Sequence, residues 1–487
     1  MTAEEKKLCA HRVFTHFYQI CQIPHGSGDE QALSDFLRDW AQGLGLEVTQ
    51  DACRNIWVRK PAYPGWESVP GVMLQAHMDM VCVKAPGVEH DFHKDPIDWV
   101  IEGNVLSTGG KTTLGADDGI GVALAMAVLE DAQLPHPALE VLFTTKEEDD
   151  FSGALGFDVS KMRASYLINL DHTVAGELVC GSCGGMQVDV RIPVQEQPIP
   201  EGWQTCGLSV GGLRGGHSGE DIHRGRGNAN VLLGRLLLAL EACGPFLLAK
   251  IQGGSLRTAI AREAQAVVCL PRAGFSEGKA RLDELAQEME REFAESGSQL
   301  TVTFQEIAPV QRAWDPGKVI SALTLFPDGI FQMNEVLTGL VDTSVNMGEV
   351  YFQEGELHTV HEIRSAQNSL GIYLRQRLER LAQLLGGESQ WSNPYPGWAF
   401  DPKSDLTELC SRVHERLYGK RPRCFTVHAG LEVGCFLSRC QGVQAVSLGP
   451  DYWDYHAPTE SADIQSVKET YRYLTEILGA FRELSKE

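Results

Sequence analysis

The sequence contains no run of about 18 apolar residues, so nothing in it reads as a membrane-spanning helix. It has no basic excess either. Its 42 Lys and Arg face 65 Asp and Glu, and a formal net charge of −23 argues against nucleic acid or an anionic membrane as partner. The opening stretch MTAEEKKLCAHRVF has no apolar signal core, so the chain is expected to stay where it is made, in the cytoplasm. The pair Cys180 and Cys183 lacks the second C-x-x-C that a zinc ribbon needs. The thirteen cysteines are odd in number and scattered, several in apolar runs such as those at Cys243 and Cys269, which suits free thiols in a reducing compartment. The Gly-rich segment 211–227 lacks the Lys-Ser/Thr end of a phosphate-binding P-loop.

What remains is a globular composition, 43% hydrophobic over 487 residues, enough for two or three folding units. Helical periodicity predicts amphipathic helices over 4–22 and 29–43. Beyond them, short apolar runs alternate with helical patterns: strands at Gly71–Ala76, Leu139–Thr145, Tyr166–Leu170 and Gln444–Leu448, and helices at 119–131, 404–418 and 466–485. That alternation implies an α/β layer with a mostly parallel central sheet. Between them the character changes. Residues 186–390 carry strands such as 187–192 and 300–305 and long helical patterns at 228–243, 275–296 and 368–385, an α+β insert. WSNPYPGW at 391–398 reads as the crossing back. The expected domains are therefore 1–185 with 391–487, and the insert 186–390.

Metal-ligand residue types gather at the strand ends. His77 and Asp79 follow one strand, Glu147 and Glu148 a second, Asp171 a third, and His456 lies in the loop after a fourth; Asp117 precedes the apolar helix. Ligands of open α/β sheets bind beyond the carboxyl ends of the strands, so these residues converge on one crevice. Imidazole and carboxylate without thiolate suit catalytic zinc, manganese or cobalt. Five such ligands serve two ions when one carboxylate bridges.

These residues stand in segments that resemble a known family. QAHMDMV at 75–81, TTLGADDGIGVA at 112–123, TTKEE at 144–148, INLD at 168–171, GLRGGHSGEDIHRGRGNAN at 212–230, HEIRS at 361–365, YPGW at 395–398 and HAGLEVG at 428–434 are similar to the aminoacyl-histidine dipeptidases of the two-zinc M20 metallopeptidases. The likeness runs from about residue 10 to 475. It implies a zinc-peptidase-like α/β catalytic domain interrupted by an α+β lid, holding two zinc ions, with manganese or cobalt as substitutes. It implies that Asp117 bridges the ions, that His77 and Asp171 complete one site, and that Glu148 and His456 complete the other. It makes Glu147 the general base and Asp79 the carboxylate that orients His77, and it places a cis bond at Asp117–Asp118. His217 is expected at the oxyanion and Arg364 at the substrate carboxylate, with His428 and Glu432 also binding substrate.

Lys146, Asp149, Asp150, His172 and Thr173 depart from the family pattern and bear on substrate preference rather than on the metal pair. The expected activity is hydrolysis of dipeptides, Xaa-His among them; the expected partner is a small peptide, and a homodimer through the lid is a further expectation. An N-acyl amino acid deacylase, a tripeptidase, a metallophosphatase and a non-catalytic peptide-binding protein stay open beside it. The metallophosphatase is disfavoured by the missing basic cluster.

Overall fold

In the computed structural model, residues 1–486 are described. The chain divides into two compact units. The first comprises Met1–Gly181, Trp398–Thr426 and Leu431–Glu487; the second comprises Ser182–Gly397 and Val427–Gly430.

The first unit is built on eight strands: β1 (Glu47–Gln50), β2 (Ile56–Lys60), β3 (Val72–His77), β4 (Leu139–Thr144), β5 (Tyr166–Asn169), β6 (Glu177–Ser182), β7 (Arg423–Val427) and β8 (Gln444–Ser447). Their spatial order is β1-β2-β4-β3-β5-β8-β6-β7. The centre of the sheet, β4-β3-β5-β8, is parallel, as the near-continuous apolar runs predict. β1 and β2 extend it antiparallel on one side, and β6 meets β8 antiparallel on the other. Every residue of β3 and β4 is buried.

Helix Ala116–Glu130 (ADDGIGVALAMAVLE) is apolar around its whole girth and is buried on all sides, packed against β3 and helix Arg12–Cys21. Each fully buried Leu, Ile or Val in this layer contributes about 1.5–3 kcal/mol of transfer free energy. The first predicted helix is in fact two, Ala3–Leu8 and Arg12–Cys21. Between them the Thr15 hydroxyl donates to the Cys9 carbonyl at 2.7 Å, taking an acceptor that a continuous helix would use.

The second unit has its own core and an eleven-stranded sheet. Helices Ala229–Cys243, Phe275–Glu292 and Asn368–Leu384 lie where the periodicity placed them. The segment read as a crossing differs. Glu388–Tyr395 is a strand, paired antiparallel with Gly184–Pro193. Pro394 is tolerated there because the register shifts between Ser392 and Tyr395, so its missing N–H costs no ladder bond. Among the described residues no helix is long and apolar enough to cross a membrane, and all thirteen cysteines are free thiols.

Candidate metal centre

Sheet register levels the first ligands. β3 pairs β4 with His77 opposite Thr144, and β3 pairs β5 with Gln75 opposite Asn169. Counting two residues past that last pair puts His77 and Asp171 at one height, and the turn after β4 brings Glu147 and Glu148 to the same edge. Lys146 opens that turn with φ +57°, and its N–H donates to the buried Glu30 at 3.2 Å. His456 comes from a different element. It sits between the short strands Tyr452–Trp453 and Ser461–Asp463, which pair with each other, with φ +63°.

Asp117 lies between the two groups. The Asp117–Asp118 bond is cis, and both residues have non-helical dihedrals at the start of helix Ala116–Glu130. Asp117 Oδ1 is 3.2 Å from His77 Nε2, which is itself 3.8 Å from Asp171 Oδ1. Asp117 Oδ2 is 3.5 Å from His456 Nε2, which is 2.7 Å from Glu148 Oε1. One carboxylate therefore turns one oxygen to each side.

The donor chemistry fits cations. His77 Nδ1 donates to the Asp79 carbonyl at 2.9 Å, which leaves a neutral ring with its Nε2 lone pair facing two carboxylates. That arrangement demands a proton or a cation. Ligands about 2.1 Å from a tetrahedral ion stand roughly 3.4 Å apart, and three of the four separations above are near that value. His77, Asp117 and Asp171 form one set of mutually close ligand atoms, and Asp117, Glu148 and His456 another. His77, Glu147 and Glu148 form a third.

The titration behaviour agrees. Burial lowers the basicity of His77, but its hydrogen bonds to Asp117 and Asp79 prevail and raise it well above the ordinary imidazole value. Contacts with Asp117 and Glu148 push His456 up to about 10. Asp117 is held low against burial by the two imidazoles. Burial and Asp117 push Asp171 well up. Burial, opposed by His77 and reinforced by Asp171, Glu148 and Glu432, pushes Glu147 well above the carboxylate range.

Asp79 does more than the sequence suggested. Its Oδ1 stands 3.6 Å from His77 Nδ1, while its carboxylate accepts from the Glu147 and Glu148 N–H groups, both at 3.1 Å, and from Ser27 Oγ at 2.6 Å. It ties the His77 strand to the turn carrying both glutamates. Glu432 is buried, and its Oε2 accepts from Gln75 Nε2 and Thr144 Oγ1, both at 2.6 Å; burial raises its pKa to about 7.

Sequence reading missed Glu460 and Asp118. Glu460 is buried, and its two oxygens accept from the N–H groups of Leu114, Gly115, Ala116 and Asp117 at 2.6–3.3 Å, fixing the backbone that presents Asp117. Asp118, also buried, accepts from His77 N–H at 3.2 Å and Gly121 N–H at 3.1 Å. Asp118 stands in the quoted GADDG motif, but nothing local marks Glu460, whose partners lie more than 340 residues away.

The second unit gathers the other predicted residues. The turn GGLRGGH needs its glycines: Gly215 has φ +62° and Gly216 φ +141°, and a Cβ on Gly216 would collide with Arg226 and Asp221. His217 Nδ1 accepts from the Glu220 N–H at 3.1 Å, so in the neutral ring Nε2 carries the proton. Burial and then Arg364 lower its pKa. Arg364 Nη2 stands 3.4 Å from that Nε2, and Arg364 also donates to Tyr395 Oη at 3.1 Å. His428 Nε2 is 2.7 Å from Ser344 Oγ, and burial holds its pKa at about 3. His217, Arg364 and His428 thus belong to one unit, and His77, Asp79, Asp117, Glu147, Glu148, Asp171, Glu432 and His456 to the other.

A parallel sheet edge lined with imidazoles and carboxylates around Asp117 brings together sets of donor atoms close enough to hold metal ions. The sequence pattern of the peptidase family M20/M25/M40 matches residues 73–480. The chain is 36% identical to the cytosol non-specific dipeptidase of Escherichia coli (strain K12) over 98% of its own length and 99% of the relative's. The aminoacylhistidine dipeptidase of Vibrio alginolyticus superposes with a TM-score of 0.93 at 34% identity, covering 98% of both chains. Aminopeptidase PepT from Bacillus cereus shares the fold at a TM-score of 0.56 and 17% identity, covering 97% of this chain and 98% of its own. The chain belongs to the M20/M25/M40 peptidase family and is an enzyme of peptide-bond hydrolysis.

Proposed function

We propose that the protein hydrolyses unblocked dipeptides, Xaa-His among them, in the cytoplasm, as a two-zinc metallopeptidase that also accepts manganese or cobalt. The observation carrying this reading is the division of Asp117 between two ligand sets, His77 with Asp171 and Glu148 with His456. The full-length likeness to two dipeptidases supports the substrate class.

Two bound cations would supply an acidified water and polarise the scissile carbonyl. The chain's own residues do the rest. Glu147 accepts a proton from the attacking water and returns it to the departing amine. Asp79 positions Glu147 through the turn N–H it binds, and orients His77. Glu432, hydrogen-bonded to Gln75 of β3 and Thr144 of β4, helps raise the basicity of Glu147.

The second unit offers an anion site. His217 Nε2–H and the Arg364 guanidinium are two donors 3.4 Å apart, with the buried Glu362 carboxylate 3.9 Å from the same Arg364 nitrogen, and both can donate to one further anion. We assign Arg364 to the peptide carboxylate and His217 to the developing oxyanion, with His428 supporting both from its buried position. Capture of a free carboxylate would favour short, unblocked peptides.

The test is a panel of dipeptides, tripeptides, C-terminally amidated dipeptides and N-acyl amino acids, run on metal-free protein reconstituted with zinc, manganese and cobalt. Unblocked dipeptides are expected to lead, with amidated forms poor. Arg364→Ala is expected to close that gap. Equal kcat/KM on dipeptides and pentapeptides would refute the length limit, and a lead by N-acyl amino acids would reassign the substrate.

A further inference from the structure

Within the first unit a cavity of about 850 Å³ opens beside Glu148. Its lining mixes the apolar Met80, Val81 and Phe92 with the acids Asp29, Asp91, Glu148 and Asp149 and the bases Lys84, His90 and His93. Its walls are held in place. The Gly26 turn bridges to Met80, the Ser27 N–H donates to the Met80 carbonyl at 3.2 Å, and Lys84 Nζ donates to the His90 carbonyl at 2.8 Å, closing the loop that brings Phe92.

The chemistry of a dipeptide says what belongs there. The scissile carbonyl is part of the N-terminal residue, so that residue's side chain departs from the atom nearest the metal ligands. A cavity that shares Glu148 with the ligand set is placed to receive it. Its volume lies within the range of small-molecule sites, ample for a long side chain with water.

The charges on the wall are unequally committed. Asp29 is paired with His93 at 2.8 Å, and Asp91 with Lys94 at 2.8 Å. The Lys84 ammonium is turned to a backbone carbonyl. Asp149 has its ion-pair partner Lys146 at 3.9 Å, with the side chains 59% and 39% exposed, a pairing too long and too wet to saturate a carboxylate.

We propose that this cavity is the subsite for the side chain of the substrate's N-terminal residue, and that Asp149 makes it prefer a cationic side chain to an anionic one. The inference rests on the dipeptidase reading and gives it a substrate class. A lining that mixes apolar side chains with the uncommitted Asp149 suits Lys or Arg, whose methylenes take apolar contacts while the charged end meets a carboxylate.

The experiment compares kcat/KM for Lys-, Leu- and Glu-first dipeptides sharing one C-terminal residue, on the zinc-loaded wild type, Asp149→Asn and Asp149→Lys. In parallel, calorimetry measures binding of the reduced-bond (CH2–NH) analogues of the Lys- and Glu-first dipeptides. All three substrates carry an α-ammonium, so the Lys-to-Leu ratio isolates the side chain. Wild type is expected to favour Lys over Glu in both readouts. Asp149→Asn is expected to shrink that ratio about two- to fivefold, the size of an exposed ion pair, and Asp149→Lys to invert it. The wild-type preference is expected to weaken as salt rises. A ratio that ignores both substitutions overturns the proposal. If no dipeptide is hydrolysed, the parent reading fails, while the analogue affinities still decide the subsite: a Lys-over-Glu difference that follows Asp149 upholds it, and equal or absent binding overturns it.

Discussion

Glu147 and Glu148 are neighbours in sequence with different surroundings, and substitution separates them. Glu147→Gln keeps the ligand geometry but removes the proton acceptor. Metal content is expected to persist while turnover falls about 10²–10⁴-fold, the usual size of a general-base contribution. Glu148 sits 2.7 Å from His456, so Glu148→Ala is expected to lose metal first. Metal analysis beside steady-state kinetics checks both, and reversed phenotypes would exchange the assignments. Glu460 offers a third test. Glu460→Ala leaves four backbone N–H groups without their acceptor in a buried place, so it is expected to cost about 1–3 kcal/mol or more of stability and to weaken metal binding through Asp117. Urea unfolding and metal titration read the two effects. His77, Asp171 and the Glu147–Glu148 pair were legible in the sequence as candidates because each follows an apolar strand. Glu460 was not, because its role arises from a contact across hundreds of residues that no local pattern encodes.

At the level of elements, the strands that carry the site lie where apolar runs put them, since burial on both faces leaves an unbroken hydrophobic signature. Elements with a mixed signature were harder to read. Strand Glu388–Tyr395 is an edge with polar and proline residues, and its sequence resembles a loop because one side of its ladder is unpaired. The turn presenting His217 depends on backbone freedom. Gly216→Ala is expected to displace His217 and cut kcat while leaving the metal content of the first unit unchanged, measured side by side.

Buried imidazoles of the second unit also set its acid tolerance. Burial holds His361 and His428 at about 3 against an ordinary 6.5, so both are neutral when folded and take protons when unfolded. Their stabilising contribution is complete above pH 6.5 and is lost progressively as pH falls from there toward 3. Each group contributes a slope of about 1.4 kcal/mol per pH unit. Unfolding midpoints measured between pH 7.5 and 5 are expected to drop, and the drop to lessen in His361→Gln.

For the whole molecule, two units carry two kinds of chemistry. The first gathers imidazole and carboxylate ligands at a parallel sheet edge, and the second gathers an arginine and an imidazole suited to an anion. The net charge of −23 is consistent with a protein whose partners are small peptides and cations rather than polyanions. The central claim is that Asp117 joins two cation sites into one reactive centre. It is tested most directly by counting metal ions per chain in the wild type and in Asp117→Ala, with dipeptide hydrolysis measured on the same samples before and after chelation. The account predicts two ions per wild-type chain, loss of activity on chelation with recovery on zinc addition, and loss of both ions and of turnover in Asp117→Ala. Full activity in chelated protein, or an Asp117→Ala chain that retains both ions, would contradict it.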